Sequence, residues 1–235
     1  MIQLDITLPL GKIARKLAKV TDEVVFYGRA TQPLYILAMD PSRNLLVKID
    51  AGITIDSDVE AGIQVKELAE TGKGVRYRMD YEGEAWKITY ETGSGLKVRK
   101  KIGGLEPSLS ASEALSIAGA KVARSAEIDV ETLSHVLDEL RGGDIITLRF
   151  VKGNPGRLVA SLSDVAKGVE VEAPVGEVPE GFEARVSLDL LASAVGILEP
   201  LAKTLRLGVD EKGILVVEPA AGSGETRILI APVEE

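Results

Sequence analysis

Four cations, Lys12, Arg15, Lys16 and Lys19, recur at spacings of three and four in a stretch with no acidic residue from Leu8 to Val20. On a helix that spacing gathers them on one face and leaves Ile13, Leu17 and Val20 for another. The chain as a whole has a formal net charge of −8, so this face is a local exception suited to phosphate contact without base reading. The same pattern also fits the solvated face of an ordinary amphipathic helix. A second cluster, Lys97, Arg99 and Lys101, alternates along a strand and so lies on one side of it. Glu170 and Glu172 do the same with opposite sign. Two such strands could pair head to tail between copies, or could simply carry charges that keep open edges from aggregating. His135, four residues after Glu131 and three before Asp138, is the remaining chemical candidate. It lacks a Ser or Cys nucleophile in recognisable context, so an exposed mixed-polar face suits it better than catalysis.

Composition narrows the classes. The chain has 235 residues, 45% of them hydrophobic, which is enough for one large domain or two smaller ones. With no Cys and one His, disulfides and thiolate zinc sites are excluded, and little imidazole chemistry remains. Aromatic residues at 4% argue against base stacking on single strands. No apolar run is long enough to span a bilayer, so a cytoplasmic, nucleoid-associated protein without membrane contact is expected. The Gly-rich pieces, Gly72-Lys73-Gly74 and Gly222-Ser223-Gly224, match neither the Walker nor the dinucleotide pattern and read as turns, so no cofactor is implied.

The elements that must position these residues come in the same order twice. Periodicity predicts a helix over 10–20, strands over 23–29, 34–38 and 45–49, and a helix over 65–71. Strands over 75–81, 85–91 and 96–102 complete the first half, with a turn at Glu82-Gly83. The second half reads as a strand over 121–128, a helix over 130–141, and strands over 145–151, 158–163 and 169–173. A helix over 188–198 and strands over 204–209, 214–218 and 226–231 close it. Between the halves, 103–119 is rich in Gly, Ser and Ala and suits an exposed connector better than a core element.

Ala38-Met39-Asp40-Pro41-Ser42, followed by Leu45-Leu46-Val47, resembles the signature of the proliferating cell nuclear antigen (PCNA) family. Ile230-Ala231-Pro232, shortly before Glu234-Glu235, is similar to that family's Leu-Ala-Pro ending. With the duplicated layout and central connector, nearly the whole sequence resembles an archaeal PCNA-type DNA sliding clamp. The resemblance implies an α+β clamp fold with two similar domains, 1–102 and 121–235, joined by an interdomain connecting loop at 103–120. Antiparallel sheets would form the outside of a three-subunit ring and helices would line its hole. The implied role is that of a non-enzymatic processivity factor that encircles duplex DNA without reading its sequence.

On that resemblance Lys12, Arg15, Lys16 and Lys19, with Lys73 and Lys203, would face DNA. Lys97, Val98, Arg99 and Lys101 would meet Glu170, Val171 and Glu172 across subunit joints. Met39, Arg43, Asn44, Leu46, Leu105, Leu109, Leu115, Ile117, Ile230, Ala231 and Pro232 would form the docking region for DNA polymerase, ligase, flap endonuclease and clamp loader. Three departures from the family pattern stand out. Arg43 and Asn44 replace His and Val, Val233 replaces a basic residue, and the 130–141 helix carries Glu131, Asp138 and Glu139 with only Arg141 as a cation. The last of these favours a heterotrimer with sister clamp subunits. The alternatives are a two-domain α+β small-molecule enzyme using the His135 region, and a checkpoint-type clamp relative.

Overall fold

The computed structural model describes residues 2–82, 84–162, 168–222 and 225–233. Gly83, Ser163, Ser223, Gly224, Glu234 and Glu235, which figure in the turns, strand end and terminus expected above, lie outside them. The chain divides into two compact units, one running to Pro41 and resuming over Leu46–Ile117, the other formed by Ser42–Leu45 and the residues from Ala118 onward. The first unit contains, in order, β1 (Ile2–Ile6), α1 (Leu10–Leu17), β2 (Glu23–Gly28), β3 (Pro33–Met39), β4 (Leu45–Thr54), β5 (Val59–Gln64), α2 (Val65–Ala69), β6 (Gly74–Glu82), β7 (Ala85–Thr92) and β8 (Lys97–Gly103). Helix α3 (Ala111–Ala118) follows in the connector. The second contains β9 (Arg124–Asp129), α4 (Val130–Glu139), β10 (Ile145–Val151), β11 (Gly156–Leu162), β12 (Glu170–Val175), β13 (Phe182–Ser187), α5 (Leu188–Leu198), β14 (Thr204–Val209), β15 (Leu215–Pro219) and β16 (Arg227–Ile230).

The two units share one topology. In the first, β1-β6-β7-β8 form one sheet and β5-β2-β3-β4 run side by side in another. The second repeats this as β9-β14-β15-β16 and β13-β10-β11-β12. Every assigned strand pair within a unit is antiparallel. Alternation explains why these sheets are coated on one side. In β1, Leu4 and Ile6 are buried while Gln3 and Asp5 are exposed, and in β13 Phe182, Ala184 and Val186 are buried between more open neighbours. Full burial of a side chain the size of Leu contributes about 1.5–3 kcal/mol, so a one-residue slip of either strand would be costly.

Helix α1 buries Leu10, Ile13, Ala14 and Leu17 and packs closely on α2. The contact is backbone to backbone, because a Cβ on Gly11 would come within 2.4 Å of the Gly72 Cα. The buried Tyr77 hydroxyl closes this corner, accepting from Gly11 N–H at 3.1 Å and lying 2.9 Å from the Thr71 carbonyl, to which it can donate. Gly11→Ala is therefore expected to destabilise the protein by about 1–3 kcal/mol through overpacking against immovable backbone. A denaturant midpoint equal to that of the unmodified chain would refute the contact. Nearby, Trp86 donates to the Gly62 carbonyl at 3.1 Å and packs 5.1 Å from Phe26.

In the second unit, α4 buries Leu133, Val136 and Leu137 and α5 buries Leu191, Ala194, Val195 and Leu198. Ser187 caps α5 by accepting from Leu190 N–H. The connector departs from its expected character. Its Ala111, Ala114 and Ala118 are buried along one face of α3, and Ser110 accepts from Glu113 N–H at the helix start. Small residues that suggested an open loop instead allow a helix to lie close to its support, since Ala is the strongest helix former. The connector is held on both flanks. Leu105 and Gly62 exchange backbone hydrogen bonds at 2.9 and 3.1 Å, and Ser108 N–H donates to Glu23. In the second unit Arg227 donates to the carbonyls of Ala118 and Ala120 and pairs with buried Glu218, which also meets Arg206.

Candidate nucleic-acid and subunit interfaces

The cations of α1 are positioned by its buried stripe, which turns Lys12, Arg15 and Lys16 toward solvent. Helix α1 ends at Leu17, three residues earlier than expected, because Lys19 and Val20 donate back only three residues, to Lys16 and Leu17. Lys19 consequently sits in the following turn, still exposed. Arg15 has a second engagement: its guanidinium lies over Gly72 and donates to the Ala69 carbonyl at 3.4 Å, where it braces the end of α2. Lys73, just beyond that end, is exposed, as is Lys203 in the second unit. Helix α4 ends before Arg141, which pairs with Asp138 at 2.7 Å, and Glu131, His135 and Glu139 are exposed on it. No group of three or more His, Cys, Asp or Glu side chains is arranged to hold a metal among the described residues. The His135 side chain makes no hydrogen bond or ion pair among them.

Strands β8 and β12 end their four-strand runs, and local hydrogen bonding sets what their free edges offer. Thr92 N–H donates to the Leu96 carbonyl at 2.9 Å. In the β7–β8 register this puts the even-numbered residues of β8 in bonded pairs and turns the backbone groups of Lys97, Arg99 and Lys101 outward. Leu162 N–H donates to the Val169 carbonyl at 3.3 Å, and by the same reasoning Glu170, Glu172 and Pro174 turn theirs outward from β12. On both edges, then, the residues with free backbone groups also carry the side chains facing away from the helices. Pro174 has no N–H, so the edge of β12 supplies donors only at Glu170 and Glu172.

Apolar side chains lie open at the same edges: Leu96 is 65% exposed, Val98 36% and Val169 38%. Val171 is half-buried. The charges are not equivalent. Glu172 already pairs with Arg157 at 3.1 Å and Glu170 with Arg149 at 4.0 Å, whereas Lys97, Arg99 and Lys101 have no ion pair or hydrogen bond among the described residues. Lys100, on the opposite side of β8, reaches Glu67 at 2.6 Å and also Glu70, fastening the edge strand to α2. Burial pulls the Lys100 ammonium pKa down, but the two carboxylates outweigh it and the net shift is upward.

The remaining expected contact residues fall into separate settings. In the first unit Met39 faces Leu46 across the β3–β4 hairpin; Met39 is half-buried and Leu46 buried. Leu105, Leu109 and Leu115 are half-buried and Ile117 is exposed. In the second unit exposed Arg43 has φ 60°, the Asn44 carbonyl accepts from Ala231 N–H at 2.8 Å, and Pro232 is exposed. Leu46 in the first unit and Ile230 in the second are each buried, so neither presents its side chain at a surface for docking. Sequence reading missed β1, β5, β13 and α3, although the apolar alternation of Ile2-Leu4-Ile6 was there to be used.

No protein-family model matches the chain, and no curated protein matches it. Among solved structures, one chain in the crystal structure of a PCNA2-PCNA3 complex from Sulfolobus tokodaii matches with a TM-score of 0.77 at 17% identity. The match covers 99% of this chain and 100% of that one. The chain has the α+β fold of the PCNA-type clamp over its whole length. No helix among the described residues is long and apolar enough to cross a membrane.

Proposed function

We propose that this chain is a subunit of a sliding clamp that encircles duplex DNA and tethers replication and repair enzymes. The observation that carries the reading is the match in phase between two free strand edges on one chain of clamp fold. The outward residues of β8 are cationic, those of β12 are anionic, and both sets lie on the face away from the helices. Added in antiparallel fashion, such edges form hydrogen-bonded pairs whose side chains stand directly opposite, with most adhesion coming from backbone pairing and apolar neighbours. Pairing between chains in this way leaves the helices of each unit to face the duplex, with Lys12, Lys16, Lys19, Lys73 and Lys203 as diffuse phosphate contacts. The neighbouring solved structure, itself a complex of two clamp chains, supports association with sister subunits. A heterotrimer is the favoured form because α4 brings acidic side chains where a homotrimer would need cations.

Residues 103–120 serve in this reading as the interdomain connecting loop. Client enzymes (polymerase, ligase, flap endonuclease and loader) dock near Leu105–Ile117, Met39 and Pro232. Catalysis is not part of the mechanism. Closure around DNA turns each docking event into a tethered one at high effective concentration, while diffuse contacts allow sliding. The test isolates the complex from its source and measures native mass and retention on circular and linearised DNA. Expected are three chains near 25.0 kDa each, held on circles in high salt and lost from cut ends. Equal salt sensitivity on both forms would overturn the ring.

A further inference from the structure

The two free edges differ in whether their charges are already satisfied. On the face away from the helices, the β1-β6-β7-β8 sheet carries Lys97, Arg99 and Lys101 together with Arg76, Arg78 and Lys87, opposed by Asp5, Asp80, Glu82 and Glu91; all of these except Glu82 line one open concavity of about 970 Å³. Lys87 lies directly opposite Lys101 in the register but pairs with Glu82 at 2.8 Å, so its charge is met within the chain, whereas Lys97, Arg99 and Lys101 have no such partner among the described residues. The corresponding face at β12 is balanced within the chain. Glu172 is held by Arg157 and Glu170 by Arg149, which itself lies opposite Glu183 across β10 and β13.

A joint between two copies would therefore set unpaired cations against carboxylates that their own arginines hold, and Arg149 and Arg157 would stand close to Lys97, Arg99 and Lys101. Specificity is a difference between competing partners, and this arrangement penalises the self-partner. We propose that the strand that joins β8 belongs to a different chain, whose edge presents carboxylates on alternate residues that are free of intrachain arginine partners. The proposal rests on the reading of β8 as a subunit edge. It adds the chemistry by which that edge chooses.

The test frees this chain's own carboxylates and uses a second copy as the probe. Arg149→Gln with Arg157→Gln should strengthen head-to-tail self-association about tenfold at low salt, the equivalent of two exposed ion pairs made available. Adding Lys97→Glu, Arg99→Glu and Lys101→Glu should abolish the gain, and thermal melts of both variants check that they are folded. Sedimentation equilibrium of the unmodified chain alone should show mostly monomer under the same conditions. A stable homotrimer of the unmodified chain, indifferent to Arg149→Gln with Arg157→Gln, would overturn the partner chemistry and leave the clamp reading standing. No gain in the freed variant would also overturn it. The underlying edge assignment fails separately, if blocking β8 with a proline leaves the complex from the native source intact.

Discussion

Arg99→Pro leaves the chain folded and weakens assembly through the β8 edge by about a hundredfold, on the order of 3 kcal/mol. The effect follows from which way one N–H points. The Thr92–Leu96 bond puts Arg99 in a non-bonded pair with Thr89, so its N–H is free in the isolated chain. Proline is tolerated on an edge strand at such a position, where no ladder bond is lost within the chain. A strand added from a neighbour would meet a ring where it needs a donor, and its facing carbonyl would be buried unpaired. Lys100→Pro is the internal control, since Lys100 lies in a bonded pair with Ile88 and ties β8 to Glu67 and Glu70. It should lower the melting temperature and disturb the edge itself. Native mass spectrometry of the complex, alongside circular dichroism melts of the two variants, reads both effects. Rings formed at full yield by Arg99→Pro would remove β8 from the joint.

Replacing Lys12, Lys16 and Lys19 together by Ala should leave assembly and melting temperature unchanged and cut retention on DNA. Each lost phosphate contact reduces the slope of log affinity against log salt by roughly 0.9, hence by up to about 2.7 for the three. Arg15 is kept in this variant because its guanidinium also braces the end of α2 through the Ala69 carbonyl. Its removal would mix a packing defect with a charge defect. Binding of the assembled complex to a duplex, measured across a salt series, separates the possibilities. An unchanged slope would take α1 away from DNA.

The helices and most strands were legible because their signals are local. Leu188–Leu198 matches the expected helix at both ends, because a Ser cap opens it and only Asp189 and Ser193 interrupt its apolar run. The ends of α1 and α4 were overextended, since turns that bond back three residues keep helix-like spacing after the helix has stopped. Strand β5 and the connector helix were hidden for different reasons. Val59–Gln64 has too few residues for alternation to stand out from its Gly and Ala. The stretch around Ala111–Ala118 has the composition of a loop and becomes a helix because alanine can pack closely against its support.

By itself the sequence determined the repeated order of elements, the sign of charge on α1, β8 and β12, and the exclusion of cysteine and most histidine chemistry. These depend on residue type and on periods of two or about 3.6, which a chain carries before it folds. Only the tertiary structure decided which of those charges remain free. It turns Arg15 toward the Ala69 carbonyl, gives Glu170 and Glu172 arginine partners from β10 and β11, and leaves Lys97, Arg99 and Lys101 without any among the described residues. It also decided which backbone groups of each edge face outward. The physical reason is that side-chain pairing and ladder phase are set by neighbours brought together across turns and distant strands, and spacing along one segment carries no information about them.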